Sequence, residues 1–430
     1  MNITTEQILE YHLGGKVGLR PTKKVADVDS LCMAYTPGVA VPVKAISKEP
    51  ATIFDYTAKG NLVAVVTDGT AILGLGDLGA EASIPVMEGK AVLFKAFGDV
   101  DGWPVPLNMC RQGGKNEGPT DPQRVIDATC AIAPMYGGIN LEDIAAPACF
   151  EIEDRLDELL DIPVFHDDQW GTAVITLAGV MNYCLLCERD LAELKIVING
   201  AGAAGIRIAE MLKAAGAESV ILCDSRGVIS TDRENLTAKK QEHAVETSLK
   251  TVGEAMAGAH VFIGVSVADA IEENDIRSLA SYPAIFAMAN PDPEIRPEAV
   301  LACMGDDDYV MATGRSDYQN QVNNVLGFPF LFRGALDVRA SKINVEMKIA
   351  AAKALAAVAR EPVSGYVRDL FAEEDLQFGN KYIIPKPFDR RLFVDVSYAV
   401  GKAAVATGVA PERDLAEYRR ELEQRNDERV

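Results

Sequence analysis

The stretch from Lys195 to Asp224 constrains the fold of this 430-residue chain more than any other. An apolar run, Lys195-Ile-Val-Ile-Asn199, leads into Gly200-Ala201-Gly202-Ala203-Ala204-Gly205. A helix-forming segment follows over 205–215. A second apolar strand, Ser219 to Cys223, then ends at Asp224. Glycines at the first, third and sixth places allow a sharp turn, close approach of a pyrophosphate, and tight packing of helix on strand. The helix N-terminus offers unpaired N–H groups to phosphate. This order predicts a doubly wound parallel sheet that binds a dinucleotide. Asp224 lies 24 residues past Gly200, where an acid accepts a ribose hydroxyl and favours NAD. Ser225 and Arg226 would instead welcome the 2′-phosphate of NADP. The reading is NAD or NADP, with a slight lean to NAD.

The same glycine spacing occurs at Gly74-Leu-Gly-Asp-Leu-Gly79. That copy carries an acid inside its turn, where pyrophosphate would be repelled. Pro85 is expected to interrupt any long helix after it.

Two acidic pairs precede the second glycine motif. Glu142-Asp143 follows Gly138-Ile-Asn-Leu141, and Asp167-Asp168 follows Pro163-Val-Phe-His166. In open α/β sheets, ligands gather at the carboxyl ends of strands. Either pair alone would read as a solvated turn or a helix cap. Two pairs close to a dinucleotide motif point to a hard cation, Mg²⁺ or Mn²⁺, held by oxygen ligands. His166 has no cysteine or second histidine nearby and reads as a structural imidazole.

The formal charge of −21, from 42 basic and 63 acidic residues, repels nucleic acid and anionic membranes. No signal peptide and no transmembrane span are expected, and the eight scattered cysteines fit a reducing cytoplasm. Cys184 and Cys187 match a redox spacing but lie in an apolar helical run and read as core thiols.

Elsewhere, Thr4 and Gln7 form a capping box for a first helix ended by Gly14-Gly15. Strands are expected at 61–67, 70–73, 91–94, 163–165, 259–265 and 284–288. Helices are expected at 121–133, 148–160, 171–187, 343–359 and 411–430. The glycine-rich stretch 108–122 reads as an exposed loop.

Several motifs together resemble the small bacterial type of malic enzyme over nearly the whole chain. They are Tyr35-Thr-Pro-Gly-Val39, Thr67-Asp-Gly69 with Gly74–Gly79, Gly89-Lys90, Gly138–Asp143, Phe165–Asp168, the Gly200–Gly205 turn, Asn290-Pro291, and Asn323-Asn324 before Gly327-Phe-Pro329. The resemblance implies an α/β chain in three parts. These are an N-terminal substrate and metal domain (1–163), an NAD(P)-binding domain (164–395), and a helical segment (396–430) folding back on the first. It also implies oxidative decarboxylation of L-malate to pyruvate with a divalent metal, in a homodimer or dimer of dimers. Lys90 would be the base for the C2 hydroxyl, and Tyr35 the acid that protonates C3. Asp167 would orient Lys90, and Glu142, Asp143 and Asp168 would hold the metal. Asn290, Asn323 and Asn324 would hold substrate, and Asn290 also the nicotinamide ribose. The first glycine motif would shape the substrate pocket.

The chain departs from that pattern in three places. Trp170 stands where small bacterial members carry His. Ala71 stands where the longer eukaryotic type carries a substrate-binding arginine. The 108–120 loop looks long, with Arg111 and Lys115 on it expected to be solvated. The phosphotransacetylase-like domain that follows in the long bacterial type is not expected here. Malolactic-like activity, an amino-acid dehydrogenase, and a dinucleotide-binding protein with a spoiled metal loop remain as alternatives.

Overall fold

The structure, a computed structural model, describes residues 3–72, 74–305, 308–372 and 374–429. Ten strands form two sheets. The first contains β1 (Leu62–Thr67), β2 (Asp101–Pro106), β3 (Gly138–Leu141) and β4 (Val164–His166), all parallel, in the order β2-β1-β3-β4. The second contains β5 (Lys195–Asn199), β6 (Ser219–Asp224), β7 (Gly227–Val228), β8 (Val261–Gly264), β9 (Ala284–Ala287) and β10 (Val310–Thr313). Its order is β10-β9-β8-β5-β6-β7, parallel except for the β6–β7 pair. The chain direction across this sheet reverses between β5 and β8, the switch point where such sheets bind ligands.

Strands β1, β3 and β4 are buried almost throughout, because helices cover both faces of a parallel sheet. The helix Asp167–Leu186 starts directly after β4 and runs through the centre. Fourteen of its 20 residues are buried, so the apolar run reads as continuous rather than as one stripe. It packs on the helices Ala203–Ala214 and Val345–Arg360, and so ties one sheet to the other.

Two expected strands are not strands. Ala91–Phe94 lies inside the helix Ala80–Gly98. Its buried residues Ser83, Met87, Ala91, Phe94 and Gly98 recur every three or four positions, which is helical spacing. Pro85 sits inside this helix without ending it. The one N–H it removes would have met Glu81, whose own N–H lies in the first turn. Residues 70–72 form a turn in which Ile72 bridges Gly76, and Leu73 lies outside the described residues.

Phe94, Phe165, Phe328 and Phe332 meet edge to face, with ring centroids 4.7 to 5.9 Å apart. Each such pair adds about 1 kcal/mol beyond the area it buries. The cluster forms a rigid floor under Lys90, whose Nζ lies 4.4 Å from the Phe328 ring centre. The C-terminal helix Leu415–Glu428 buries Tyr418 and Leu422. Its Arg425 reaches Asp99, at the end of the Ala80–Gly98 helix, at 3.1 Å. All eight cysteines are free, and no helix of the described residues is long and apolar enough to cross a membrane.

Candidate active site

A 580 Å³ cleft opens at the carboxyl ends of strands from both sheets. From the first sheet it is lined by Ala71, Gly74, Glu142, Asp143 and Asp168, and from the Ala80–Gly98 helix by Lys90. From the second sheet come Met288, Asn290 and Pro291 after β9 and Gly314 after β10, with Val322, Asn323 and Asn324 completing the wall.

Lys90 is the centre of charge. Its Nζ donates to Asp167 Oδ2 at 2.5 Å and lies 2.9 Å from Glu142 Oε1. Burial works against the ammonium, but Asp167, Glu142 and Asp168 outweigh it and raise the lysine above its usual value. Burial raises Asp167, and Lys90 opposes that rise. Glu142 is pushed well above the carboxylate range by burial, again opposed by Lys90 and aggravated by the three neighbouring acids.

Glu142, Asp143 and Asp168 each place a carboxylate oxygen within 4.8 Å of the other two. Glu142 and Asp143 are buried, and Asp143 takes a left-handed φ of 53° with its N–H donated to Asp168 Oδ2 at 2.8 Å. Like charges gathered in a low-dielectric wall repel unless a cation joins them. The donors are all oxygens, as a hard divalent ion requires. The residues therefore fit Mg²⁺ or Mn²⁺.

Asn324 is fastened from two sides. Its Nδ2 donates to Asp167 Oδ2 at 3.1 Å and its Oδ1 accepts from Thr172 Oγ1 at 3.0 Å. Sequence reasoning missed Thr172. It lies one helical turn past Asp168, on the same face, and that spacing was the available signal.

Other expected residues fall elsewhere. Tyr35 is 70% exposed and does not line the cleft. The turn Gly200–Gly205 lies beyond the cleft wall, at the end of β5, with Gly205 buried and Gly202 exposed. Asp224 is not a free acceptor. Arg233 Nη1 and Nη2 grip its two oxygens at 2.9 and 3.0 Å, Lys240 Nζ lies at 2.7 Å, and the Arg226 N–H donates at 2.9 Å. Despite partial burial, these donors hold its carboxyl well below the usual range. Ser225 is exposed in the turn that follows.

Trp170 is turned away from the cleft. Its Nε1 donates to Glu153 Oε2 at 3.0 Å, and its ring lies between Arg207, at 4.6 Å, and Lys348, at 3.5 Å. Burial lowers Lys348 to about 8. The indole thus leaves the metal loop clear.

Arg111 corrects a second expectation. It is 1% exposed, not solvated. Its two terminal nitrogens each lie 2.7 Å from an oxygen of Asp77, and Nη2 also donates to the Asp68 carbonyl at 3.2 Å. The acid inside the first glycine turn is therefore the partner of Arg111, and the pair fastens the 108–120 loop to the turn that holds Gly74. Arg111→Ala should remove at least about 2 kcal/mol of stability by breaking charge-assisted hydrogen bonds. A urea midpoint equal to wild type would show that the loop is anchored elsewhere.

Sequence models described as "Malic enzyme, N-terminal domain" and "Malic enzyme, NAD binding domain" match residues 15–157 and 170–367. The chain is 52% identical to an NADP-dependent malic enzyme of Rhizobium meliloti (strain 1021), over 99% of this chain and 56% of that protein. It is 49% identical to an NADP-dependent malic enzyme of Halomonas elongata, over 94% of each. It superposes on the crystal structure of malic enzyme from Pyrococcus horikoshii Ot3 with a TM-score of 0.86 at 38% identity, covering 99% and 98% of the two chains. The chain spans about half the length of some curated relatives, the Rhizobium protein among them. A fold with two parallel sheets, a match across both domain models and a like-sized relative place this chain in the malic enzyme family.

Proposed function

We propose that the chain oxidises L-malate and decarboxylates it to pyruvate, with NADP as the oxidant. The observation that carries this reading is Lys90, held by Asp167 and Glu142 beside three carboxylates in a cleft that draws on both sheets. A divalent cation on Glu142, Asp143 and Asp168 would supply Lewis acidity towards the substrate oxygen, and a dinucleotide on the Gly200–Gly205 turn would accept the hydride.

The protein's own groups divide the remaining work. Asp167, Glu142 and Asp168 keep Lys90 protonated. With Glu142 and Asp168 engaged by a cation the lysine would lose much of that support, and as a free amine it takes the proton from the C2 hydroxyl as C2 gives up its hydride. Asp167 fixes the amine, and Asn324 fixes Asp167. Once the C4 carboxylate has left as CO₂, C3 of the enolate takes a proton, the role that the family pattern gives to Tyr35, which in this chain stands exposed outside the cleft lining. No arginine lines the cleft, so the malate carboxylates fall to Asn290, Asn323, Asn324 and backbone N–H groups. The same division gives 1–163 most of the metal and base groups and 164–395 the dinucleotide, with β4, Asp167, Asp168 and the three asparagines of the second stretch reaching into the shared site. It leaves 396–430 to the helices that close the first domain.

The sequence leaned to NAD through Asp224. The pairing of that acid supports NADP instead. Its oxygens are already taken by Arg233 and Lys240, leaving net positive charge beside the ribose position. Relatives at 52% and 49% identity are named NADP-dependent. Lys240→Ala should raise KM for NADP roughly tenfold, the loss of one charge-assisted hydrogen bond, while KM for NAD stays level. Equal effects on both would return the choice to NAD.

An assay of malate with NADP or NAD, with and without Mn²⁺, tests the whole reading. Reduced cofactor and pyruvate should form only with metal. Turnover surviving rigorous metal removal would sink it, and lactate in place of pyruvate would establish a malolactic reaction. The reading of a spoiled metal loop loses its support, because Trp170 does not enter the cleft.

A further inference from the structure

We propose that Glu210, Glu242 and His243 form a second metal site, separate from the cleft and suited to a borderline divalent ion, Zn²⁺ above all. It concerns a different part of the chain from the malate reading and does not depend on it.

The three residues come from two neighbouring stretches. Glu210 projects from the helix Ala203–Ala214. Glu242 and His243 follow the short helix Ala238–Gln241, with Glu242 as its C-cap. One carboxylate oxygen of each glutamate and one ring nitrogen of His243 lie within 4.8 Å of one another. The trio in the cleft offers oxygens alone, which suits Mg²⁺ or Mn²⁺. An imidazole with two carboxylates instead matches zinc, with room for water as a further ligand.

Clustered acids are common on a chain this acidic, so the histidine decides. His243 is 4% exposed, and its Nε2 is buried with no hydrogen-bond partner. A polar atom shut away from water without a partner is destabilising. Nε2 faces Glu210 Oε1 across 3.9 Å, too far for a hydrogen bond. Two ligand atoms each about 2.1 Å from one tetrahedral zinc stand roughly 3.4 Å apart, so a cation would draw this pair in by about half an ångström. Glu210 is prepared for that contact. Arg207 Nη1 holds its other oxygen, Oε2, at 2.8 Å and leaves Oε1 to the imidazole. The Glu242 side chain is more than half exposed and free to swing inward.

Two lysines stand in the way, and both can yield. Lys213 Nζ lies 3.2 Å from His243 Nδ1, and Lys239 Nζ lies 3.9 Å from Glu242 Oε2. With Lys213 in place, Nδ1 accepts and Nε2 carries the ring proton. The ligating tautomer carries that proton on Nδ1. Lys213 is exposed, so its ammonium can turn to solvent and leave the Nδ1–H to water. Lys239 has a second partner in Asp154, at 3.7 Å, when it releases Glu242. A cation here fastens the helix that opens at the dinucleotide turn to the stretch bearing Lys240, whose Nζ holds Asp224 at 2.7 Å.

The test is titration with Zn²⁺ while Mg²⁺ in excess fills the oxygen trio. Calorimetry of the wild-type chain should show a zinc-binding event. Glu242→Gln and His243→Gln should each weaken it at least about 10-fold, since even the hydrogen-bond partners of metal ligands contribute that much. Lys213→Met removes the opposing charge and frees Nδ1, and should tighten the same event by about three- to tenfold. Zinc should also raise the melting temperature of the wild-type chain more than that of Glu242→Gln. Zinc held on the cleft carboxylates or on cysteines is indifferent to these substitutions. An event unchanged by Glu242→Gln and His243→Gln therefore overturns the proposal, as does a wild-type chain with no zinc event. Glu242 is exposed, so its variant keeps the result readable if His243→Gln folds poorly. The measurement uses no turnover, so failure here leaves the malate reading standing, and failure of the malate assay leaves this site standing.

Discussion

Lys90→Ala should lower kcat for malate oxidation by about 10³-fold, within the range expected for loss of a positioned general base. The lysine projects from the Ala80–Gly98 helix over the Phe328 ring, between Asp167 and Glu142. Nothing else in the cleft lining carries a basic group. Loss of the ammonium also leaves four acids, Glu142, Asp143, Asp167 and Asp168, without their shared cation. The two consequences separate in the assay. Removing a positive charge beside the carboxylates should tighten the binding of Mn²⁺, because like charge no longer opposes it. Dinucleotide affinity should be unchanged, since the Gly200–Gly205 turn lies outside the cleft wall. A fallen kcat with metal affinity equal or higher is thus the signature of a base. Small alkylamines should restore part of the rate by occupying the vacated space. Collapse of kcat and metal affinity together would make Lys90 a structural counter-ion, and an unchanged kcat would remove it from the chemistry.

Legibility in the sequence followed the range of the interactions. The Gly200–Gly205 turn, β5, β6 and the helix between them could be read because each local preference agrees with the fold. Each acidic pair could be read because it follows directly on a strand, while the pairing of β3 with β4 brings the two pairs, 25 residues apart at Asp143 and Asp168, together. Ala91–Phe94 misled because a short apolar run looks the same in a buried strand and a buried helix. Its helical period appears only when Ser83 and Gly98 are counted with it. Asp224 misled for another reason. Its partners Arg233 and Lys240 lie 9 and 16 residues further on, and only the return of the chain past β7 brings them to it. The Trp170–Glu153–Arg207–Lys348 cluster joins four separate helices. No spacing rule reaches across such distances. Arg111 looked solvated because its neighbours are glycine and polar, while the acid that buries it sits 34 residues earlier in what resembled a second phosphate turn.

Gly202→Ala and Gly205→Ala should both weaken dinucleotide binding strongly, and should do so in different ways. A methyl group on Gly205 would lie 1.7 Å from the Gly200 carbonyl oxygen and 3.3 Å from the Val265 side chain. The Gly200 backbone cannot yield without moving β5 or the helix Ala203–Ala214 off the other. Overpacking of this kind costs about 1–3 kcal/mol, so Gly205→Ala should melt earlier as well as fail to bind. At Gly202 a methyl group would meet nothing within 4 Å. Its φ of −90° is open to alanine. The folded chain therefore gives no reason for glycine there, and Gly202→Ala should melt with or slightly above wild type, through reduced freedom of the unfolded chain. The space at Gly202 is explained if a pyrophosphate lies against the backbone at the helix N-terminus. A methyl group in that contact should weaken NADP by about 100-fold, near 2.7 kcal/mol. Calorimetric titration with NADP and thermal melts of both variants separate the two effects. Wild-type affinity in a well-folded Gly202→Ala would place the pyrophosphate elsewhere, because beyond its chain neighbours none of the described residues competes for that space.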